Sequence, residues 1–319
     1  MNRIIPIAMV CDRNFIMQTF VTIVSMKENK SAEYIYDIYI LSSVSCVEFE
    51  EYASKIRSTD FLITIIEVSM DKFKKIKQIS HISQACLLKF EISDYLVTYD
   101  KVLYLDGDII VRKGLETLFQ IELGENYVAC VFHSLGIVTG EDKMNGGVML
   151  LNVAKIREKN LSRILLKKRE ELGDRNSMDQ ETFQLIFADK KIALSPQYNI
   201  MVDKLDFEKK FYSIKDFNTY YGTSFHSRRE ALRNAVIVHF TGAIKPWKYS
   251  FGKCNKEWCS YYSKLDDKKL VRKNRLDYYK EIKNKNGFRG LYWMLKDRIL
   301  IWAGGIFHIY LDKSYEMWN

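Results

Sequence analysis

Little in this sequence interrupts or staples the chain. Three prolines among 319 residues, with no proline- or glycine-rich tract, exclude a collagen-like rod and an extended linker protein. The six cysteines (Cys11, Cys46, Cys86, Cys130, Cys254 and Cys259) are scattered, with no CxxC pair. That spacing argues against a zinc ribbon, a dithiol redox motif or a disulfide framework, and reads as free thiols in a reducing cytosol. No window reaches the roughly 18 apolar residues a membrane-spanning helix needs. The best, residues 299–311, is broken by glycines and His308. The apolar stretch 4–11 is too short for a signal-peptide core and lacks a small-residue cleavage pattern, so it reads as a first strand. No internal repeat is visible, which argues against solenoids and propellers. What is present, 47% apolar and 28% charged side chains, fits one sizeable globular domain with an appendage.

The net charge of +9 is unevenly spread, because residues 253–319 hold 15 Lys/Arg against 8 Asp/Glu. The same segment holds four of the five tryptophans (Trp258, Trp293, Trp302, Trp318) together with Tyr278, Tyr279, Tyr292, Tyr310 and Tyr315. A basic stretch interleaved with Trp and Tyr can bind anionic lipid head groups, or single-stranded nucleic acid by stacking. It can equally be a helical tail that packs its aromatics on the domain. A nucleic-acid-binding module would also need a basic patch on the main domain, and the near-neutral first 252 residues speak against one; no nucleic-acid partner is expected.

Apolar runs alternate with helix-like segments: strand 4–11, helix 15–27, strand 34–41, helix 46–57, strand 61–68. This βαβαβ rhythm predicts an α/β fold with a parallel sheet covered by helices. A helix over 84–97 and a short apolar strand at 101–105 follow, then strands at 127–132 and 147–152. The second half predicts helices over 161–172 and from near Asp179, and strands at 191–194 and 235–240. From about 251 the alternation gives way to short helical segments, which places a boundary near 250: a catalytic domain over 1–250 and a basic, aromatic-rich helical region over 251–319.

The stretch KVLYLDGDIIV (101–111) delivers Asp106 and Asp108 to the carboxyl end of a buried strand. In extended chain, side chains two apart share a face, so the two carboxylates could present hard oxygen ligands to a divalent cation. Strand carboxyl ends are where open α/β sheets bind ligands. Gly107 between them permits close approach or an unusual backbone angle. Two enzyme classes use such a pair. A haloacid-dehalogenase-like phosphatase would use one Asp as nucleophile and the other as acid, but would place them on the first strand; here three strands come earlier, and Asp266-Asp267 lies in a charged tail. A nucleotide-sugar glycosyltransferase would use the cation to hold a diphosphate leaving group. Its needs match three further segments: Asn145 and two glycines in MNGGVMLLN, Asp179 and Gln180 in SMDQE, and His239, Gly242 and Lys245 in HFTGAIKPW. Asp12 and Asp179 could instead simply cap the helices that follow them, and His239 could be a core histidine.

LYLDGDIIV, MNGGVMLLN, the Asp-Gln pair and HFTGAIKPW, in this order across residues 4–248, together resemble glycosyltransferase family 8. These retaining GT-A enzymes include bacterial lipopolysaccharide galactosyl- and glucosyltransferases. The resemblance implies a GT-A fold, a Rossmann-like, mostly parallel sheet flanked by helices, with the basic aromatic region appended. It implies that Asp106, Asp108 and His239 bind Mn²⁺ (or Mg²⁺), with Gly107, Gly242 and Lys245 at the diphosphate of a UDP-hexose donor. Asp12 and Asn14 in CDRNF match the family's uridine segment. Lys89 matches a donor-site lysine, and Asn145, Asp179 and Gln180 match positions around the donor sugar, with Gln180 nearest the anomeric carbon. Classical retention would need a carboxylate nucleophile about 5 Å from its partner. The matching residue is the amide Gln180, which favours same-face attack by a glycan or lipid-linked glycan acceptor. With a lipid-linked acceptor, residues 253–319 would hold a cytoplasmic enzyme on the anionic inner face of the membrane.

Two positions depart from the family pattern. Leu87 stands where Tyr-x-Arg-x-Lys has its arginine, and leucine cannot replace a bidentate donor. His133 stands where an aspartate often contacts the donor sugar. The resemblance therefore leaves the donor sugar open, with a degenerate UDP-binding relative as the alternative.

Overall fold

A computed structural model describes residues 3–76, 83–173, 179–268 and 270–284. Long apolar runs with no polar alternation become strands buried on both faces, as parallel sheets require. These are β1 (Arg3–Val10), β2 (Tyr34–Ser42), β4 (Val102–Leu105), β6 (Val128–Phe132) and β7 (Met144–Leu151). β3 (Phe61–Glu67) alternates buried and exposed positions over its first four residues, as suits an edge, and β8 (Lys191–Ala193) closes the opposite side. The order is β3-β2-β1-β4-β7-β6-β8. Every neighbouring pair is parallel except those made by β7, which runs antiparallel to β4 and β6.

Three strands form a second, small sheet: β5 (Ile109–Val111), β9 (Ile200–Met201) and β10 (Ile237–His239), in the order β5-β10-β9. The strand expected at 235–240 is thus real but shorter, and lies outside the main sheet. β5 and β9 have too few residues to show any periodicity. β5 is secured instead by a polar stripe on the helix Ile16–Asn29, where Thr19, Thr22 and Ser25 recur every three residues on one face. Thr22 Oγ1 donates to the carbonyls of Gly107 (3.0 Å) and Ile109 (2.8 Å), and the Val111 amide donates to Ser25 Oγ (2.9 Å).

Two expectations change in detail. The helix expected over 84–97 is a 3₁₀ segment, Gln84–Glu91, followed by one α-turn, Ile92–Tyr95. With three residues per turn, Cys86 and Lys89 align on one side. Leu87 is fully buried in the core. The strand expected from 147 begins at Met144, so Asn145 and Gly146 lie within it rather than ahead of it.

The described part of the expected appendage packs against the domain. Trp258, on the helix Asn255–Tyr262, is fully buried, stacks on Tyr262 at 5.5 Å and lies 5.9 Å from the Trp247 ring. Glu257 forms a fork with Arg112 (2.5 and 2.7 Å). Trp293, Trp302, Trp318, Tyr292, Tyr310, Tyr315 and the stretch 299–311 lie outside the described residues. Among the described residues, no helix is long and apolar enough to cross a membrane.

Candidate active site

Because β7 runs antiparallel, its first residues meet the carboxyl end of β4: the Asp106 amide donates to the Gly147 carbonyl at 2.8 Å. The chain turns at Asp106–Asp108 and leaves the main sheet to enter β5, which pairs with β10 in the register His239↔Ile109. The Phe240 amide donates to the Asp108 carbonyl at 2.9 Å. The two carboxylates converge because the turn changes sheets, not because of strand alternation as expected. Gly107 serves close packing: a Cβ there would lie 2.5 Å from Thr19 Oγ1.

Asp106, Asp108 and His239 offer ligand atoms that all lie within 4.8 Å of one another. His239 Nε2 is 3.1 Å from Asp108 Oδ1 and 3.9 Å from Asp106 Oδ2. An octahedral cation with bonds of about 2.1 Å spaces adjacent ligand atoms about 3 Å apart and opposite ones about 4.2 Å apart. The spacing and the mixed carboxylate–imidazole set therefore suit a hard or borderline divalent ion such as Mn²⁺. Asp108 gives its second oxygen to Lys245 Nζ at 2.7 Å. Burial alone would push the Asp108 carboxyl up, but Lys245 and His239 outweigh it and hold it well below the usual carboxylate range. Lys245 also donates to the Phe240 carbonyl and lies over the Trp247 ring.

Lys89 is a second cation of the site, and it is buried. Its ammonium sits 2.6 Å from Asp179 Oδ2 and 3.1 Å from Asp106 Oδ1, above the Tyr104 ring at 4.9 Å. Burial opposes the charge, but Asp106 and Asp179 overcome it and raise the pKa well above the usual lysine value. Asp179 precedes the helix Gln180–Phe187 but makes no capping bond, so its carboxylate serves Lys89 instead. Gln180 Oε1 accepts from the Gly146 amide at 3.3 Å. Asn145 is buried, and its Oδ1 accepts from the Gly147 amide (3.0 Å) and from Asn199 Nδ2 (2.7 Å).

The structure therefore joins Asp106, Asp108, His239, Lys245, Lys89, Asp179, Gln180 and Asn145 in one network. Asp12 and Asn14 follow β1 at the same sheet edge, where Asp12 Oδ1 accepts from the Asn14 amide (2.8 Å) and so caps the short turn after it. The Phe15 ring meets Trp247 edge-on at 5.7 Å, linking this segment to the loop that carries Lys245. Gly242 has φ +77°, and a Cβ there would lie 2.5 Å from Asp203 Oδ2, so only glycine fits. Of the Asp266-Asp267 pair, Asp267 accepts from the Tyr52 hydroxyl (2.7 Å) and neither residue belongs to the metal-ligand group.

Three participants escaped the sequence reading. Tyr104 donates to Asp106 Oδ1 at 2.6 Å, and its place two residues before Asp106 in LYLD was the available signal. Asn199 Oδ1 lies 2.9 Å from His239 Nδ1, with no sequence signal beyond its place after a Pro-initiated turn. Asp203 accepts from Thr241 Oγ1 and thereby steadies the loop before Lys245.

Two predictions arise from this geometry. A Cβ on Gly147 would lie 2.3 Å from His239 Cε1 and 2.8 Å from Asp106 Oδ2. Gly147→Ala should therefore weaken Mn²⁺ binding by about tenfold or more, read by electron paramagnetic resonance titration; unchanged affinity would contradict the packing. The second concerns His133, whose pKa burial and Lys204 lower to about 4. The unfolded chain binds that proton near 6.5, so the stabilisation is complete above 6.5 and is lost as pH falls toward 4. The ring keeps some contact with water, so the loss is roughly 2 kcal/mol. Denaturant titrations at neutral and acidic pH should show His133→Gln losing less stability than the wild type; equal losses would contradict this.

The model for glycosyl transferase family 8 matches residues 6–250. The chain is 31% identical over 186 residues to glycosyltransferase GlyE of Streptococcus pneumoniae serotype 4, covering 58% of this chain and 42% of GlyE. It is 24% identical over 266 residues to the lipopolysaccharide glucosyltransferase WaaO of Escherichia coli K12, covering 77% of this chain and 73% of WaaO. The chain thus spans less than half the length of GlyE. Its fold matches that of the galactosyltransferase LgtC, solved in complex with donor and acceptor sugar analogs, with a TM-score of 0.67 at 20% identity over 82% of this chain and 97% of that one.

Proposed function

The chain belongs to glycosyltransferase family 8, and from that premise we propose that it moves a hexose from a UDP-sugar to a glycan or lipid-linked glycan acceptor, with retention and with Mn²⁺ at Asp106, Asp108 and His239. The observation that carries this reading is the convergence of those three ligands with Lys245 at the carboxyl end of β4. When bound, the cation supplies charge neutralisation for the departing diphosphate. Lys245, 2.7 Å from Asp108, stands where it can add a second positive charge as the bond to the anomeric carbon breaks. Asp12, Asn14 and Gly242 shape the nucleotide end. Gln180 and Asn145 border the donor sugar. Asp179 is held against the Lys89 ammonium, which makes it a poor nucleophile. That pairing, with an amide at 180, supports attack by the acceptor hydroxyl on the face the phosphate leaves, the phosphate taking the proton. WaaO is a lipopolysaccharide glucosyltransferase by name, which motivates a lipid-linked acceptor here.

Screening UDP-glucose and UDP-galactose for UDP release, with Mn²⁺ and with EDTA, tests this directly. Metal-dependent release from either donor supports the reading, and none from any UDP-hexose would overturn it. We assign catalysis to residues 1–250 and membrane docking to 251–319, through the lysines and arginines of 253–319 and not through Trp258, which is buried. Salt-sensitive sedimentation with anionic liposomes is the expected result. No sedimentation at low salt would sink the docking role alone.

A further inference from the structure

We infer that Asn199 is the positioning residue that fixes the tautomer of His239 and ties this metal-ligand imidazole to the strand bearing Asn145. Asn199 is 1% exposed and sits between a 3₁₀ turn, Pro196–Tyr198, and β9. Amide orientations are ordinarily ambiguous, because oxygen and nitrogen look alike. Here a backbone group resolves the ambiguity. The Gly147 amide can only donate, and it points at Asn145 at 3.0 Å, so the Asn145 atom it meets is the oxygen. That oxygen also lies 2.7 Å from Asn199, so the facing Asn199 atom is the nitrogen. The other end of the Asn199 amide is then its oxygen, an acceptor 2.9 Å from His239 Nδ1. The proton on His239 therefore sits on Nδ1. Nε2 faces Asp108 Oδ1 at 3.1 Å. That contact needs a proton or a metal ion between the two atoms, so with Nδ1 keeping its proton, Nε2 is the nitrogen left to exchange a proton for a cation.

The consequence rests on the metal reading above. Partners of this kind set the tautomer and orientation of a ligating histidine, and losing one typically weakens metal binding by 10–100-fold. The chain of bonds also runs from the metal ligand to Gly147 and Asn145, so a change at Asn199 reaches both ends of the site.

The test uses the full chain labelled with ¹⁵N-histidine, its His239 signals assigned by their loss in His239→Asn. In the metal-free wild type at mildly alkaline pH, long-range ¹H–¹⁵N spectra should show Nδ1 protonated, and with Mg²⁺ bound they should show Nδ1 protonated and Nε2 without a proton. Asn199→Leu should lose that fixed form and bind Mn²⁺ about 10–100-fold more weakly by paramagnetic resonance titration. Asn199→Asp keeps an acceptor for Nδ1 and should retain the Nδ1–H form, while losing the bond to Asn145. If Asn199→Leu fails to fold, the wild-type spectrum and Asn199→Asp still decide. An unprotonated Nδ1 in the wild type, or wild-type Mn²⁺ affinity in folded Asn199→Leu, would overturn the inference. A wild type that binds no Mn²⁺ yet shows the Nδ1–H form contradicts the metal reading and leaves the tautomer assignment standing.

Discussion

Asp108→Asn should lower transfer by about a thousandfold while leaving the protein folded. The substitution keeps the shape of the side chain and removes its charge. One oxygen of Asp108 faces His239 and the other holds Lys245, so on the proposed metal reading the change takes a ligand from the cation, and it releases the lysine. The fold should tolerate the loss, because Lys245 keeps the Phe240 carbonyl and the Trp247 face, and the Asp108 backbone still pairs with Phe240. Initial rates of UDP release from the active donor sugar, alongside a melting curve, would check both halves. Activity within tenfold of wild type would show that Asp108 does not hold the cation.

Lys89→Met should produce the largest loss of stability of any single change near the site. The ammonium is 8% exposed and lies between two carboxylates. Removing one partner of a buried ion pair costs about 3–5 kcal/mol, since the remaining charge stays buried and uncompensated. Two carboxylates are stranded here, although Asp106 is partly solvated and keeps the Tyr104 hydroxyl. The expected fall in Tm is about 5–10 °C. The folded-state pKa of Lys89 is raised, so this stabilisation is present throughout the neutral range and is lost only as pH rises through that raised value. A Lys89→Met protein that melts within about 1 °C of wild type at neutral pH would contradict the role of the buried cation.

How much of this was legible in the sequence depends on what each feature needs in order to show. β1, β2 and β3 are long and apolar enough to read directly, and the helix Leu161–Leu172 falls where the pattern put it. β5 and β9, three and two residues long, leave no periodic trace, yet their pairing with β10 brings His239 and Asp108 together. Asp106, Asp108, His239 and Lys245 could be named because their residue types fit the chemistry. Their convergence could not be derived, since it arises from a turn between two sheets. The burial of Lys89 between Asp106 and Asp179 leaves no trace in the sequence, because the three residues lie on separate segments. Asn199 is invisible without the fold, because one polar residue after a proline turn resembles many loops. Leu87 is a departure that the structure explains locally: it is fully buried in the core, on a different side of the 3₁₀ segment from Lys89.

On the reading proposed above, this site holds a nucleoside diphosphate through a divalent cation on Asp106, Asp108 and His239. Calorimetric titration of UDP into the purified protein, with Mn²⁺ and then with EDTA, tests it most directly. Saturable binding with Mn²⁺ that disappears in EDTA and in Asp108→Ala is the expected result. Binding that is equally tight with EDTA, or absent in both conditions, would contradict it.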